Sequence, residues 1–314
     1  MSRLVSDLAA RTGLQEADVR RLMLSAPVRY KRYTIPKRDG TRRPIAQPAR
    51  EIKAIQRAFV VAVLENLPVH DAAMAYRHGR SIRDNAAAHV GSDGPILKMD
   101  LKSFFPSIRM QDWQRYCDEH SLFDDPGDVL LSGHLLFCRE PGTRSLRLAI
   151  GAPSSPAVSN ILMFKFDEAV TRAVGADQVV YTRYADDLTF SARRTGYLTG
   201  VQSSVARVIR NQAYPKLEIH PAKTTYATKK FHRSVTGLTL SNERQVTLGR
   251  DRKRLIRAQV HRASLGQLSM EETAKLSGML AFVHAVEPSF IETLSAHYGS
   301  HVLGQISSAG RPKS

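Results

Sequence analysis

The sequence predicts an α+β fold, a small antiparallel sheet set among helices, and three features carry that prediction. Two apolar, β-rich runs, Val179-Val180-Tyr181 and Leu188-Thr189-Phe190, flank a short polar segment and read as strand, turn, strand. A separate buried strand is legible in Gly94-Pro95-Ile96-Leu97-Lys98-Met99-Asp100, and its last residue is a carboxylate. Most of the remaining apolar residues recur at a helical period.

The elements follow in order. Residues 5–23 read as two short helices broken at Thr12-Gly13, a pair with the outline of a helix-turn-helix. Asp39-Gly40 is a hairpin turn signal, so Lys37 and Arg43 are expected on the strands either side. Residues 48–90 read as helical, with Ile55, Phe59, Val60, Val63, Leu64 and Leu67 on one buried face. A helix is expected over 110–120. A long amphipathic one is expected over 155–174, with Pro156 in its first turn. From about Leu238 the texture is helical and basic, and Arg250, Lys253, Arg254 and Arg257 share a helix face. Ser269-Met270-Glu271-Glu272 is a capping box opening a helix toward His284. Glu287-Pro288 breaks that helix, 290–298 forms a last one, and 307–314 is a low-complexity tail.

The turn between the two β runs holds Arg183-Tyr184-Ala185-Asp186-Asp187. Successive side chains on a strand point to opposite faces, so adjacent carboxylates can serve one site only at a turn. Two like charges held that close raise each other's pKa, and a divalent cation removes the conflict. Mg²⁺ takes one or two carboxylates together with substrate phosphates. A bare Asp-Asp is commonly an ordinary turn, but Asp100 supplies a third carboxylate at a strand end. That is the layout of a two-metal site, where cations about 3.5–4 Å apart clamp the attacking and leaving oxygens of an in-line displacement.

Tyr184-Ala185-Asp186-Asp187 resembles the Tyr-x-Asp-Asp box of reverse transcriptases. Asp100-Leu101-Lys102-Ser103-Phe104-Phe105 resembles their first aspartate motif. Gly151-Ala152-Pro153-Ser154-Ser155-Pro156 with Asn160 resembles the motif between the two. The resemblance runs from about Tyr30 to Gly237. Asn85-Ala86 with His89 three residues on, and Val235-Thr236-Gly237, are similar to signatures of the bacterial retron subgroup. The resemblance implies a right-hand polymerase core: N-terminal helices and fingers over 1–90, an antiparallel-sheet palm over 91–237 with a fingers insertion, and a small basic helical thumb over 238–314.

Roles follow by resemblance. Asp100, Asp186 and Asp187 are the catalytic and metal-binding residues, holding two Mg²⁺ ions. Lys37 and Arg43 hold the triphosphate of the incoming dNTP, where cations offset charge on the leaving pyrophosphate. Phe105 sits against the sugar and excludes a 2′-OH, Gly151 lets backbone approach the nucleotide, and Lys223 acts near the pyrophosphate. Ile150 stands where many reverse transcriptases carry Gln, a departure bearing on nucleotide selection and fidelity. The subgroup resemblance implies a cognate structured noncoding RNA as template and primer, priming from a 2′-OH, and an RNA-linked single-stranded DNA product in anti-phage defence. It also implies a separate effector protein. A host ribonuclease H is expected for template removal, since the thumb is too short to carry one. Asn85, His89, Val235, Thr236 and Gly237, with Arg250, Lys253, Arg254 and Arg257, are the candidate RNA contacts.

Composition agrees. Lys and Arg total 46 against 29 acidic residues, a net charge of +17, which implies a polyanionic partner. Two cysteines without Cys-x-x-Cys spacing argue against a zinc site or disulfide scaffold and suit a reducing cytoplasm. The longest apolar run, 58–64, is far too short to span a membrane, and no signal-peptide layout opens the chain. Rival readings are a group II intron-like or abortive-infection reverse transcriptase. In a different class stands a non-enzymatic helix-turn-helix DNA-binding regulator, in which the three aspartates have no role.

Overall fold

Residues 2–37, 40–92, 94–175 and 178–309 are described in a computed structural model of the chain. Among them are eleven strands: β1 (Tyr30–Pro36), β2 (Arg42–Pro48), β3 (Ile96–Asp100), β4 (Cys138–Arg139), β5 (Leu146–Arg147), β6 (Val180–Tyr184), β7 (Asp187–Ser191), β8 (Thr225–Ala227), β9 (Ser234–Val235), β10 (Leu238–Leu240) and β11 (Val246–Thr247). They lie in two interleaved compact units. One comprises Met1–Gly79, Leu97–Phe190 and Gly196–Thr225; the other comprises Arg80–Ile96, Ser191–Thr195 and Tyr226–Ser314.

The central sheet has the order β6-β7-β3-β8. Only Ala185 and Asp186 join β6 to β7, a connection that permits antiparallel pairing alone. β3 runs antiparallel to β7 as well. The Leu101 N–H donates to the Asp186 carbonyl at one end (2.9 Å), and the Gly94 N–H donates to the Ala192 carbonyl at the other (3.0 Å). β-Branched and aromatic residues fill β6 and β7, as a pleated surface covered on both faces favours. Tyr181 and Phe190 stack across the pair with centroids 5.0 Å apart.

In the first unit, the helix Arg3–Thr12 opens on Ser2, whose hydroxyl accepts the Val5 N–H, and closes on Gly13 at φ 71°. Glu16–Ser25 follows, so the expected helix pair is present. β1 and β2 form an antiparallel hairpin with Ile35 opposite Arg43. Of its Asp39-Gly40 turn signal, Asp39 lies outside the described residues. Lys37 is beyond the end of β1 rather than on it, its N–H donating to the Thr41 carbonyl. Helix Arg50–Ala62 buries Ile52, Ile55, Gln56 and Phe59. The helices expected over 48–90 cover only part of that range. A 3₁₀ turn (Leu64–Asn66) precedes Pro68, and helix resumes only at Ile82–Ala87. Val60, Val63 and Leu67 are half-buried for the same reason. The expected helix over 155–174 is two, Ser155–Leu162 and Phe164–Gly175, with Met163 between them.

In the second unit, β9, β10 and β11 pair antiparallel. Four helices follow: Arg250–Ser264, Met270–Val286, Pro288–Tyr298 and Ser300–Ala309. Helical structure begins at Arg250, not near 238, because the alternating residues of 238–247 make a β meander instead. The Ser269 capping box is formed in both directions, and Glu287-Pro288 ends the helix. The last helix was not expected. Val302, Leu303 and Ile306 recur at i, i+1, i+4 and join the core of Ile256, Val260, Leu280 and Phe290. Among the described residues, no helix is long and apolar enough to cross a membrane.

Candidate active site

The sheet brings three carboxylates to one end of its two central strands, β3 and β7. Asp100 ends β3, with 9 % of its surface exposed. Its carbonyl accepts the His220 N–H at 2.7 Å, and the next residue's N–H holds the Asp186 carbonyl. Asp186 occupies the β6–β7 turn and Asp187 opens β7. Ala185 reaches this turn at φ 58°, a left-handed conformation that L-residues other than Gly rarely adopt. Burial raises the Asp186 pKa, and Asp100 raises it further. Asp187 is pushed up to about 6 by burial first and by Asp186 and Asp100 after that. The cluster therefore holds more negative charge than its surroundings neutralise.

Two lysines answer it in part. Lys223 stands in the 3₁₀ turn Pro221–Lys223, and its ammonium donates to both Asp100 oxygens, at 3.0 and 2.9 Å. Lys98, one residue short of Met99 on β3, lowers the Asp187 pKa. Among the described residues no group of three or more His, Cys, Asp or Glu side chains is arranged as a metal site. The donors present are all carboxylate oxygens, the hard ligands that Mg²⁺ takes while keeping other positions for water or phosphate. A cation already bridges Asp100, and the two other carboxylates are held at raised pKa. The residues fit a divalent cation.

A buried network beneath the turn escaped sequence reasoning. Arg183 has no exposed surface. Its guanidinium donates to Asp167 three times, at 2.8, 3.1 and 2.6 Å, to Asn160 Oδ1 at 3.1 Å, and to the Ala185 carbonyl at 3.3 Å. The Tyr181 hydroxyl donates to Asp167 at 2.8 Å. Burial alone pulls the guanidinium pKa down, but Asp167 more than offsets it, and the net shift is upward. One arginine thus fastens the strained Ala185 to the helix that carries Asp167. The available signal was an arginine in the middle of an otherwise apolar strand.

The remaining candidates divide. The charge of Arg43 lowers the pKa of Asp186, so the hairpin delivers it to the carboxylates, while Lys37 is exposed at the hairpin tip. Of the aromatic pair, Phe104 is core. Phe105 is half-buried and lines a cavity of about 410 Å³ with Gln47, Tyr76, Ile150, Gly151 and Pro153. Gly151 has φ 121°, and a Cβ there would lie 3.0 Å from the Ala46 carbonyl oxygen and from Ile45 Cγ2. The glycine is demanded by its packing on β2, whatever else approaches it.

Of the nine residues expected to touch RNA, three are turned inward, which corrects that expectation for Asn85, His89 and Val235, and Thr236 is half-buried. Asn85, His89 and Val235 are buried completely. The Thr236 hydroxyl donates to the Ile82 carbonyl at 3.0 Å. The two short motifs pack on each other, and burial leaves Asn85, His89 and Val235 no exposed face, although the buried Asn85 side-chain amide has no hydrogen-bond partner among the described residues. His89 Nδ1 lies 2.7 Å from Ser191 Oγ, and burial pulls its pKa down to about 3, keeping the ring neutral. Gly237 is exposed at φ 77°. Lys253 is half-buried and bound to Glu287 Oε1 at 2.5 Å. Arg250, Arg254 and Arg257 are exposed, Arg254 beside Asp251 and Arg257 over the Phe290 ring at 5.2 Å.

A family model for reverse transcriptase (RNA-dependent DNA polymerase) matches residues 35–247. The chain is 37 % identical to the retron Ec83 reverse transcriptase of Escherichia coli, over 94 % of this chain and 96 % of that protein. It is 30 % identical to the retron Ec86 reverse transcriptase of the same organism, over 95 % and 92 %. Among solved structures, a Candida albicans telomerase in complex with the TWJ fragment of telomeric RNA superposes with a TM-score of 0.48 at 13 % identity. That superposition covers 92 % of this chain and 62 % of that one, and it adds nothing to the assignment.

Proposed function

This chain belongs to the retron reverse transcriptases and is an RNA-directed DNA polymerase with an α+β core, and from that premise we propose that it copies one cognate structured noncoding RNA into RNA-linked single-stranded DNA. Synthesis starts from a 2′-OH of that RNA. The observation that carries the mechanism is the carboxylate cluster. Asp100 raises the pKa of both Asp186 and Asp187, and its own oxygens are bridged by a lysine ammonium. Asp100, Asp186 and Asp187 would hold two Mg²⁺ ions. Bound there, the metal neutralises charge on the attacking and leaving oxygens.

The chain's own residues do the positioning. Arg43, with Lys37 at the hairpin tip, steadies the triphosphate. Lys223 stands within reach of Asp100 and offsets charge near the departing pyrophosphate. Phe105 faces the sugar from the wall of the cavity it shares with Ile150 and Gly151. Arg250, Arg254 and Arg257 are the exposed cations of a thumb that grips the duplex backbone. Fingers, palm and thumb correspond to 1–90, 91–237 and 238–314. The product belongs to anti-phage defence in the cytoplasm, with a separate effector protein and a host ribonuclease H that trims the template.

The test is expression of the chain with its native upstream flanking sequence, beside Asp186→Ala plus Asp187→Ala, followed by extraction of nucleic acid. A discrete DNA that shortens on ribonuclease treatment and is missing from the double variant supports the reading. Activity on an added primer–template without such DNA in the cell removes the cognate-RNA part.

A further inference from the structure

We infer that Tyr76 is a specificity-determining residue, the second wall of an aromatic gate that, with Phe105, closes on the sugar of the incoming nucleotide. The inference rests on the reading of Phe105 as the sugar-facing residue and extends it to a side chain with no assigned role.

Four observations converge on Tyr76. Its backbone sits at φ 60°, a strained conformation for a bulky residue, so something else must hold it. Despite its size, 52 % of the residue is exposed, so the strain is not offset by burying the ring. The ring centre lies 6.2 Å from that of Phe105 at a tilt of 40°. Two rings inclined at that angle are not parallel, so their planes bound a wedge. Both line the same 410 Å³ cavity as Ile150 and Gly151. The phenol also feels the charges of Asp186 and Arg43, the groups that flank the triphosphate and the reacting phosphate in the proposed site.

The holding device is the buried network. The Arg183 N–H donates to the Ala72 carbonyl at 2.7 Å, and its carbonyl accepts the Met74 N–H at 2.8 Å. Asn160 takes the guanidinium on Oδ1, and its Nδ2 donates to the Ala75 carbonyl at 2.8 Å. One arginine and one asparagine therefore fix both the Ala185–Asp186 turn and the residue next to Tyr76. A strained aromatic anchored by the scaffold that sets the catalytic turn is placed for contact with substrate. A flat ring beside the sugar of a dNTP makes van der Waals contact there, whereas a ribose 2′-OH would have to enter the wedge.

The test is steady-state incorporation of a dNTP and the matching rNTP on a primed RNA template. The full chain would be compared with Tyr76→Ala, Tyr76→Phe, Tyr76→Gly and Phe105→Ala. Tyr76→Ala is expected to lower the ratio of kcat/KM for dNTP over rNTP on the order of tenfold, a loss the size of one aromatic contact. Tyr76→Phe is expected to restore the ratio, since the ring is kept. Tyr76→Gly removes the ring and the strain together and is expected to behave as Tyr76→Ala, which separates loss of the ring from a folding defect. If Tyr76→Ala changes both substrates equally while Phe105→Ala lowers the ratio, Tyr76 is only a cover for Phe105 and the inference falls. If Phe105→Ala also leaves the ratio untouched, the sugar-facing reading of Phe105 falls with it.

Discussion

Neutralising Asp167 is the sharpest test of how this site is built. Asp167→Asn keeps the side chain's shape but removes the counter-charge of Arg183 where both have no solvent exposure. The amide can accept fewer of the three guanidinium hydrogen bonds, and it turns a donor toward the Tyr181 hydroxyl. Breaking one partner of a buried pair leaves an uncompensated charge, at a cost of about 3–5 kcal/mol. In a unit of this size each kcal/mol moves Tm by roughly 2–4 °C, so a fall on the order of 10 °C is expected by thermal melt. Replacing both partners together, Asp167→Leu with Arg183→Met, leaves no buried charge and is expected to melt above the single variant. Polymerase activity should drop in both at temperatures where they remain folded, with a higher Mg²⁺ requirement. In the double variant the Ala185 carbonyl and Asn160 lose their donor, and in the single variant Arg183, which donates to both, loses the carboxylate that anchors it. A single variant melting within about 2 °C of wild type, or a double variant melting below the single, would refute the reasoning.

Three other predictions follow from the same site. Asp100→Asn and Asp186→Asn should each lower DNA synthesis on the order of 10³-fold or more without lowering Tm, since each removes a carboxylate from a crowded cluster; a large drop in Tm would make the loss of activity structural. For Asp187, a pKa raised to about 6 means that the metal-free folded chain holds this proton more tightly than the unfolded chain does. Its stabilising effect is present below the ordinary carboxylate value and is lost as pH rises through about 6. Mg²⁺ should therefore raise Tm more at pH 7.5 than at pH 5, and its apparent affinity should weaken below about 6 because protons compete; a Mg²⁺ dependence flat from pH 5 to 8 speaks against it. Gly151→Ala places a Cβ against β2 at φ 121° and should cost about 1–3 kcal/mol, read as a lower Tm with weaker dNTP binding; an unchanged melt would mean the β2 hairpin gives way freely.

Much of the site was legible because its chemistry is local. Asp100 ends a run of buried strand residues, and Asp186 lies in a two-residue turn whose next residue, Asp187, opens the following strand, so pattern and position coincided. What was not legible depended on distance. Arg183 and Asp167 are sixteen residues apart on different elements, and only the fold brings an arginine into contact with a helix carboxylate. The fold showed the same division. The capping box at Ser269 is read from four residues and is formed. The meander of 238–247, with strands of two and three residues, is too short to show a period. The Ser300–Ala309 helix was hidden by its glycine and serines, yet three apolar residues at helical spacing secure it to the core.

The two motifs that narrowed the subgroup carry a different lesson. Asn85, His89 and Thr236 were singled out as RNA contacts because they resemble signatures, and the fold turns the first two inward and half-buries the third. Thr236 takes left-handed backbone at φ 47°, and its hydroxyl ties that turn to Ile82, the first residue of the helix bearing Asn85. His89, held neutral, closes a chain of hydroxyls through Ser191 to Ser92. The Thr236 and His89 side chains are spent on other parts of the same unit, whereas the buried Asn85 side-chain amide has no hydrogen-bond partner among the described residues. The hydrogen bond from Thr236 to Ile82 joins the two segments, and apolar packing of Ala86 with Val235 and Leu238 adds to it. A signature of this kind marks how the unit is assembled. The candidates that stay exposed are Gly237, Arg250, Arg254 and Arg257.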